Sequence, residues 1–172
     1  MTGKLVGIVI MISALIAGFG LYYLQVYGFY DTVETEEVEL VSIISGEPEP
    51  ILFENFQAID AESSPIRYRA CFTTEMSFGL LSETYVGLEE VTPRNAPHWF
   101  DCFDAEAIAE ALDAGQALLF LGQKNIHFGV DRVVAIHTDG RGFVWHELNE
   151  CGEKAYDGTI VGEECPARED AN

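Results

Sequence analysis

Basic residues are scarce here, and unevenly spread. The 172-residue chain has 9 Lys and Arg against 29 Asp and Glu, a net charge of −20, and no basic residue falls between Lys4 and Arg67. Such a surface is repelled by phosphate-rich polymers, which argues against nucleic acid as a partner. Glycine-rich phosphate-binding loops are missing too. No G-x-S-x-G occurs, so Ser63-Ser64-Pro65 has no nucleophile elbow around it. The absence of C-x-x-C removes the usual mark of a thioredoxin-like site, and the cysteines are not in the close pairs that zinc favours. His146-Glu147 superficially resembles a phospho-accepting pair, but it lies in a predicted strand and no ATP-binding domain accompanies it.

What is present begins with Leu5–Tyr30, a run without a charged residue in which Gln25 is the one strongly polar member. Roughly 20 apolar residues in α-helix span a bilayer core, and this run is longer. A cleaved signal peptide has a shorter apolar core and then a small-residue cleavage site. Ala14, Ala17 and Gly18 offer small residues, but the run continues through Leu21, Tyr22, Tyr23, Leu24, Val26 and Tyr27, so a retained anchor is the preferred reading. The flanks set its direction. Lys4 precedes it, while Asp31, Glu34, Glu36, Glu37 and Glu39 follow, so the positive-inside bias puts the N-terminus in the cytoplasm and the rest outside. Tyr22, Tyr23, Tyr27, Phe29 and Tyr30 crowd the outer end, where amphipathic rings favour headgroups. Gly3/Gly7 and Ala14/Gly18 have a spacing that permits a weak homodimer through the helix, though lipid-facing filler is the preferred reading.

All 29 acidic residues lie beyond the anchor. That acidity suits attraction to a basic protein or a divalent cation, but a well-solvated surface explains it more simply. The expected division is an anchor at 1–30, an acidic spacer at 31–36, an α+β domain at 37–165 and a frayed tail at 166–172. Cys71, Cys102, Cys151 and Cys165 all fall in the exported part, and an even count in an oxidising compartment suggests two disulfides. Four cysteines allow three pairings. Cys71–Cys102 with Cys151–Cys165 is preferred, the first joining two core elements and the second closing a short C-terminal loop.

Val38–Ile44, Ile51–Ile59 and Ile66–Thr74 read as strands, with a proline-broken turn or edge connection at Gly46–Pro50. In the third, Ile66, Tyr68, Ala70 and Phe72 share one face, and Arg67, Arg69 and Cys71 the other. Glu75–Phe100 has no clean period beyond a short helix near Phe78–Leu81, and a stretch this long in a small domain is usually functional. Asp104–Ala114 is a helix: Asp104 caps it, Gly115 ends it, and Ala105, Ile108, Ala109 and Leu112 form its apolar stripe. Ala117–Leu121 reads as a buried strand ending at a Gln123–Asn125 turn, and Asp139-Gly140 joins Val130–His137 to Phe143–Leu148 as a hairpin. Strands on both sides of one helix, with mostly short connections, indicate an antiparallel sheet with one packed helix.

The densest functional-looking cluster is His98, Trp99, Asp101 and Cys102, just before the helix. A ligand or acid–base site is one reading. The plainer one is that Trp99, Phe100 and Phe103 anchor the helix start and Asp101 helps to cap it. His137 and His146 are expected to share a face of the hairpin, diagonally placed, while Glu147 points the other way. A metal site there would need a third ligand, so paired surface histidines are preferred and no cofactor is expected. His127 stands alone. Arg132 is a candidate to pair with Glu147 across the hairpin.

Three stretches, Phe56–Phe72 (FQAIDAESSPIRYRACF), His98–Leu112 (HWFDCFDAEAIAEAL) and Asp131–Asn149 (DRVVAIHTDGRGFVWHELN), together with the N-terminal anchor, resemble a family of small single-pass proteins of marine and photosynthetic alphaproteobacteria, known as a domain of unknown function. The resemblance implies an inner-membrane protein with a periplasmic domain, matches Cys71 and Cys102 to family positions, and supplies no catalytic residue. The expected function is therefore a non-enzymatic accessory or scaffold protein that meets inner-membrane lipid and an envelope protein partner. A small-ligand or metal-binding periplasmic sensor using His98, Asp101, His137 or His146 is the alternative.

Overall fold

The computed structural model describes residues 3–34, 37–162 and 165–166. The apolar run is helix α1 (Gly3–Tyr23), which closes with one wider π-type turn, Leu24–Gly28. Gly3–Gly28 is long and apolar enough to cross a membrane, and none of its most hydrophobic window is buried by the rest of the chain.

No free spacer separates this helix from the domain. Asp31–Val33 is strand β1 and pairs antiparallel with β4 (Glu54–Asp60), Asp31 opposite Asp60 and Val33 opposite Ala58. This corrects the reading of 31–36 as a spacer: Thr32 and Val33 are β-branched and extended, and Asp31 and Thr32 sit on an exposed edge where polarity costs little. Thr35 and Glu36 of that stretch, and the tail from Ala167 on, lie outside the described residues.

The main sheet is antiparallel throughout, in the order β1-β4-β5-β8-β7-β6, with β5 at Arg69–Thr73, β6 at Ala117–His127, β7 at Val130–His137 and β8 at Arg141–Leu148. A separate ribbon pairs β2 (Glu39–Val41) with β3 (Pro48–Pro50). The prolines, expected in a turn or edge connection, therefore occupy a two-stranded ribbon, where a missing donor can face outward.

Side-chain alternation gives the sheet two packed faces. Tyr68, Ala70, Phe72, Val134, Ile136 and Val144 meet Leu40, Ile51, Leu81 and Phe120 on the first. Cys71, Val133, Ala135, Phe143 and Trp145 meet Phe100, Phe103 and Ile108 on the second. Helix α2 (Phe78–Thr84) supplies Leu81 to the first face, and the Ser77 hydroxyl accepts the Leu80 N–H at its start. Helix α3 (Ala105–Asp113) covers the second, burying Ile108 and Ala111. The Asp104 carboxylate accepts the Glu106 and Ala107 N–H groups, so Asp104 caps it and Asp101 does not. Its other end closes as a Schellman turn: Gly115 adopts φ +67, its N–H donates to Leu112 O, and the Gln116 N–H donates to Ala111 O.

Two turns depart from expectation. The Gln123–Asn125 stretch is a bulged continuation of β6, with Asn125 at φ +51, and the chain reverses instead at Phe128-Gly129, between the paired His127 and Val130. The Asp139-Gly140 hairpin has a three-residue loop, Thr138–Gly140, which sets a register other than the one that would give His137 and His146 a shared face. Arg132 therefore stands opposite His146 and Asp131 opposite Glu147. A one-residue change of register flips every side chain, so His137 and His146 lie on opposite faces, correcting the shared-face expectation.

Candidate functional site

The structure brings Cys71 to Cys102, with Cα atoms 6.2 Å apart, and Cys151 to Cys165, 4.9 Å apart. The pairing preferred from loop logic is the one formed. The first disulfide ties the middle of the sheet to the segment running from Leu88 to Phe103 across the second face.

That segment carries His98 and Trp99 to the end of α1. The Trp99 Nε1–H donates to Val26 O at 2.7 Å, and the Tyr27 hydroxyl lies 3.0 Å from His98 Nε2. Tyr27 stacks on Trp99 with centroids 6.2 Å apart, and Tyr30 meets the same indole edge-on at 5.9 Å. The Arg67 guanidinium stands over the Tyr30 ring at 5.6 Å. Val26 O is one of the helix-terminal carbonyls that need a partner from outside the helix. The indole provides it, and each aromatic pair adds about 0.5–1.5 kcal/mol beyond the area buried. His98 and Trp99 thus fasten the helix to the domain, whereas the plainer reading had Trp99 anchoring the start of α3. Phe100 and Phe103 do pack there, both buried. Asp101 is exposed.

Arg69 holds the segment from beneath. Its Nε–H donates to Arg94 O at 2.9 Å, Nη2 to Asn95 O at 3.0 Å, and Nη1 to Ile66 O and Tyr68 O at 2.9 and 2.6 Å. Burial lowers its pKa to about 10, and these four carbonyls offset the cost of removing the charge from water. Arg94 in turn forms a forked ion pair with Glu147. The expected Arg132–Glu147 pair does not form, because the three-residue loop puts those side chains on opposite faces.

Two of the four histidines meet, and the other two stand apart. His146 is buried on the first face: Nδ1 lies 2.7 Å from Pro65 O, Nε2 accepts the Arg132 Nε–H at 3.2 Å, and the ring stacks on Tyr68 at 4.7 Å. His127, expected alone, meets that ring edge-on at 5.9 Å. His137 stays with its own turn, Nδ1 3.0 Å from Asp139 Oδ1. His98 belongs to the helix junction. Among the described residues no group of three or more His, Cys, Asp or Glu is arranged to hold a metal ion.

Sequence reasoning missed Tyr27, Val26, Arg69 and Arg94 as members of one assembly. Their contacts join residues up to 73 positions apart, and no local period records such a pairing.

The fold and this junction define a class: an α+β domain stapled by two disulfides and seated on the end of an N-terminal apolar helix. The chain belongs to the Family of unknown function (DUF6446), whose model matches residues 38–166. Neither the curated proteins nor the solved structures contain a match to it.

Proposed function

We propose that this chain is a single-pass, membrane-anchored accessory or scaffold protein of the bacterial envelope. Its N-terminus is cytoplasmic, its domain periplasmic, and it presents that domain to an envelope protein without catalysing a reaction. The observation that carries the anchored part of this reading is the hydrogen bond from the Trp99 indole to Val26 O. A cleaved signal peptide would take with it a helix end that the domain has built into its own packing, so a retained anchor accounts for the contact. Lys4 before the run and the acidic residues after it support the direction. Two disulfides among four cysteines support an oxidising compartment. The family resemblance points to the inner membrane of an alphaproteobacterium.

The contact surface in this proposal is Glu75–Phe100, held on the sheet by Arg69 and Cys102 and by the junction at Trp99. A tagged full-length chain, crosslinked in intact membranes and examined by mass spectrometry, tests it. We expect one reproducible envelope partner, lost when Leu80→Glu and Thr92→Lys alter two exposed positions of the segment. Recovery of nothing but the chain itself, or equal recovery from wild type and variant, would overturn the proposal.

A further inference from the structure

Between α3 and the Glu89–Pro93 segment lies a cavity of about 420 Å³. Its floor is apolar, with Val91 and Leu112 half-buried and Leu119 buried. Its rim is acidic: Glu89 and Glu90 stand on one side and Asp113 on the other, all exposed, and no basic residue lines it. Among the described residues none of these three carboxylates has an ion-pair partner.

The end of α3 adds a second, independent requirement for positive charge. A helix C-terminus carries a partial negative charge that Lys or Arg in the last turn usually complements. Here the last turn holds Asp113 and no basic residue. The terminal carbonyls are already capped by Gly115 and Gln116, so the unmet need is charge and not hydrogen bonding. A third observation concerns the segment itself. Among the described residues the backbone of Glu89–Pro93 makes no hydrogen bond to other backbone, between Leu88 N→Leu119 O on one side and the Arg69 contacts on the other. Glu89, Glu90 and Thr92 in it are exposed, where an extended chain can run alongside.

From these we infer that the groove takes an extended segment of a cationic polypeptide, with a Lys or Arg side chain entering between Glu89, Glu90 and Asp113. The aliphatic stem of such a residue lies along Val91, Leu112 and Leu119 while its charged end meets the rim. The inference rests on the accessory reading and names the chemistry of the partner.

A photocrosslinking residue at Thr92 reports on the groove, and one at Ser82, on α2, reports on the rest of the contact segment. Both are placed in the full chain in intact membranes, and adducts are mapped by mass spectrometry. We expect the Thr92 adduct to fall within a few residues of a Lys or Arg in the partner. Its yield should drop at least tenfold in Glu89→Gln/Glu90→Gln/Asp113→Asn, changes confined to exposed side chains. Circular dichroism and intact disulfides check that this variant folds. Adducts from Ser82 but not from Thr92 would overturn the groove and leave the accessory reading standing. A Thr92 adduct that maps away from basic residues, or whose yield is unchanged in the triple variant, would also overturn it. No adduct from either position would remove both.

Discussion

The two disulfides close loops of comparable cost but hold very different parts of the molecule. Their sequence separations are 31 and 14 residues, which in the chain-entropy model correspond to about 3.7 and about 3 kcal/mol. By that measure they are near equals. Cys71, however, is buried in the middle of the sheet, and Cys102 lies between the junction residue Trp99 and the cap Asp104. Cys151–Cys165 closes a loop whose backbone hydrogen bonds, among the described residues, are local to it, around the Lys154–Ile160 bridge, with Tyr156, Ile160 and Val161 exposed. A crosslink that aligns buried groups adds the contacts it positions; a crosslink on a loop adds little beyond entropy.

A large effect is expected beside the inner disulfide, close to that of removing the disulfide itself. Arg69→Met strands four carbonyls that the guanidinium now satisfies, so we expect a loss of about 3 kcal/mol or more in urea unfolding of the full chain in detergent. Arg69→Lys should recover less than half of it, since one ammonium cannot reach both sides. Near-wild-type stability of Arg69→Met would mean that the segment is held by its apolar contacts alone.

The disulfides themselves sharpen the contrast. We expect Cys71→Ser/Cys102→Ser to cost about 4 kcal/mol and Cys151→Ser/Cys165→Ser about 1–2 kcal/mol, below the entropic figure because the loop is loosely attached. Equal losses within about 0.5 kcal/mol would show that loop length governs both and that the distinction drawn here is wrong.

How much of this was legible in the sequence follows the range of the interactions. Helix α3 was readable from Asp104, Gly115 and its stripe, because capping and periodicity are local signals. The alternation was readable for the same reason from Tyr68 to Phe72, although Ile66 stands in a turn ahead of β5, and the apolar residues of Phe78–Leu81 marked the start of α2. The Asp139-Gly140 hairpin was visible, but its loop length was not. The register that the three-residue loop sets separates His137 from His146 and gives Glu147 to Arg94 in place of Arg132. Gln123–Asn125 looked like a turn by composition and is a bulge, since Gly129 at φ +73 makes the reversal. The junction was the least accessible. Trp99 and His98 stood out as a cluster, and Tyr27 and Tyr30 as membrane-surface aromatics, yet nothing local says that these two groups touch.

The central claim is that the helix end and the domain form one rigid unit through Trp99. The most direct test is the distance between spin labels at Leu21, on α1, and Ala107, on the exposed side of α3, in full-length protein reconstituted in nanodiscs. The account predicts one narrow distance distribution in wild type, broadened severalfold by Trp99→Ala while the domain stays folded. A broad distribution in wild type, or a narrow one that survives Trp99→Ala unchanged, would contradict it.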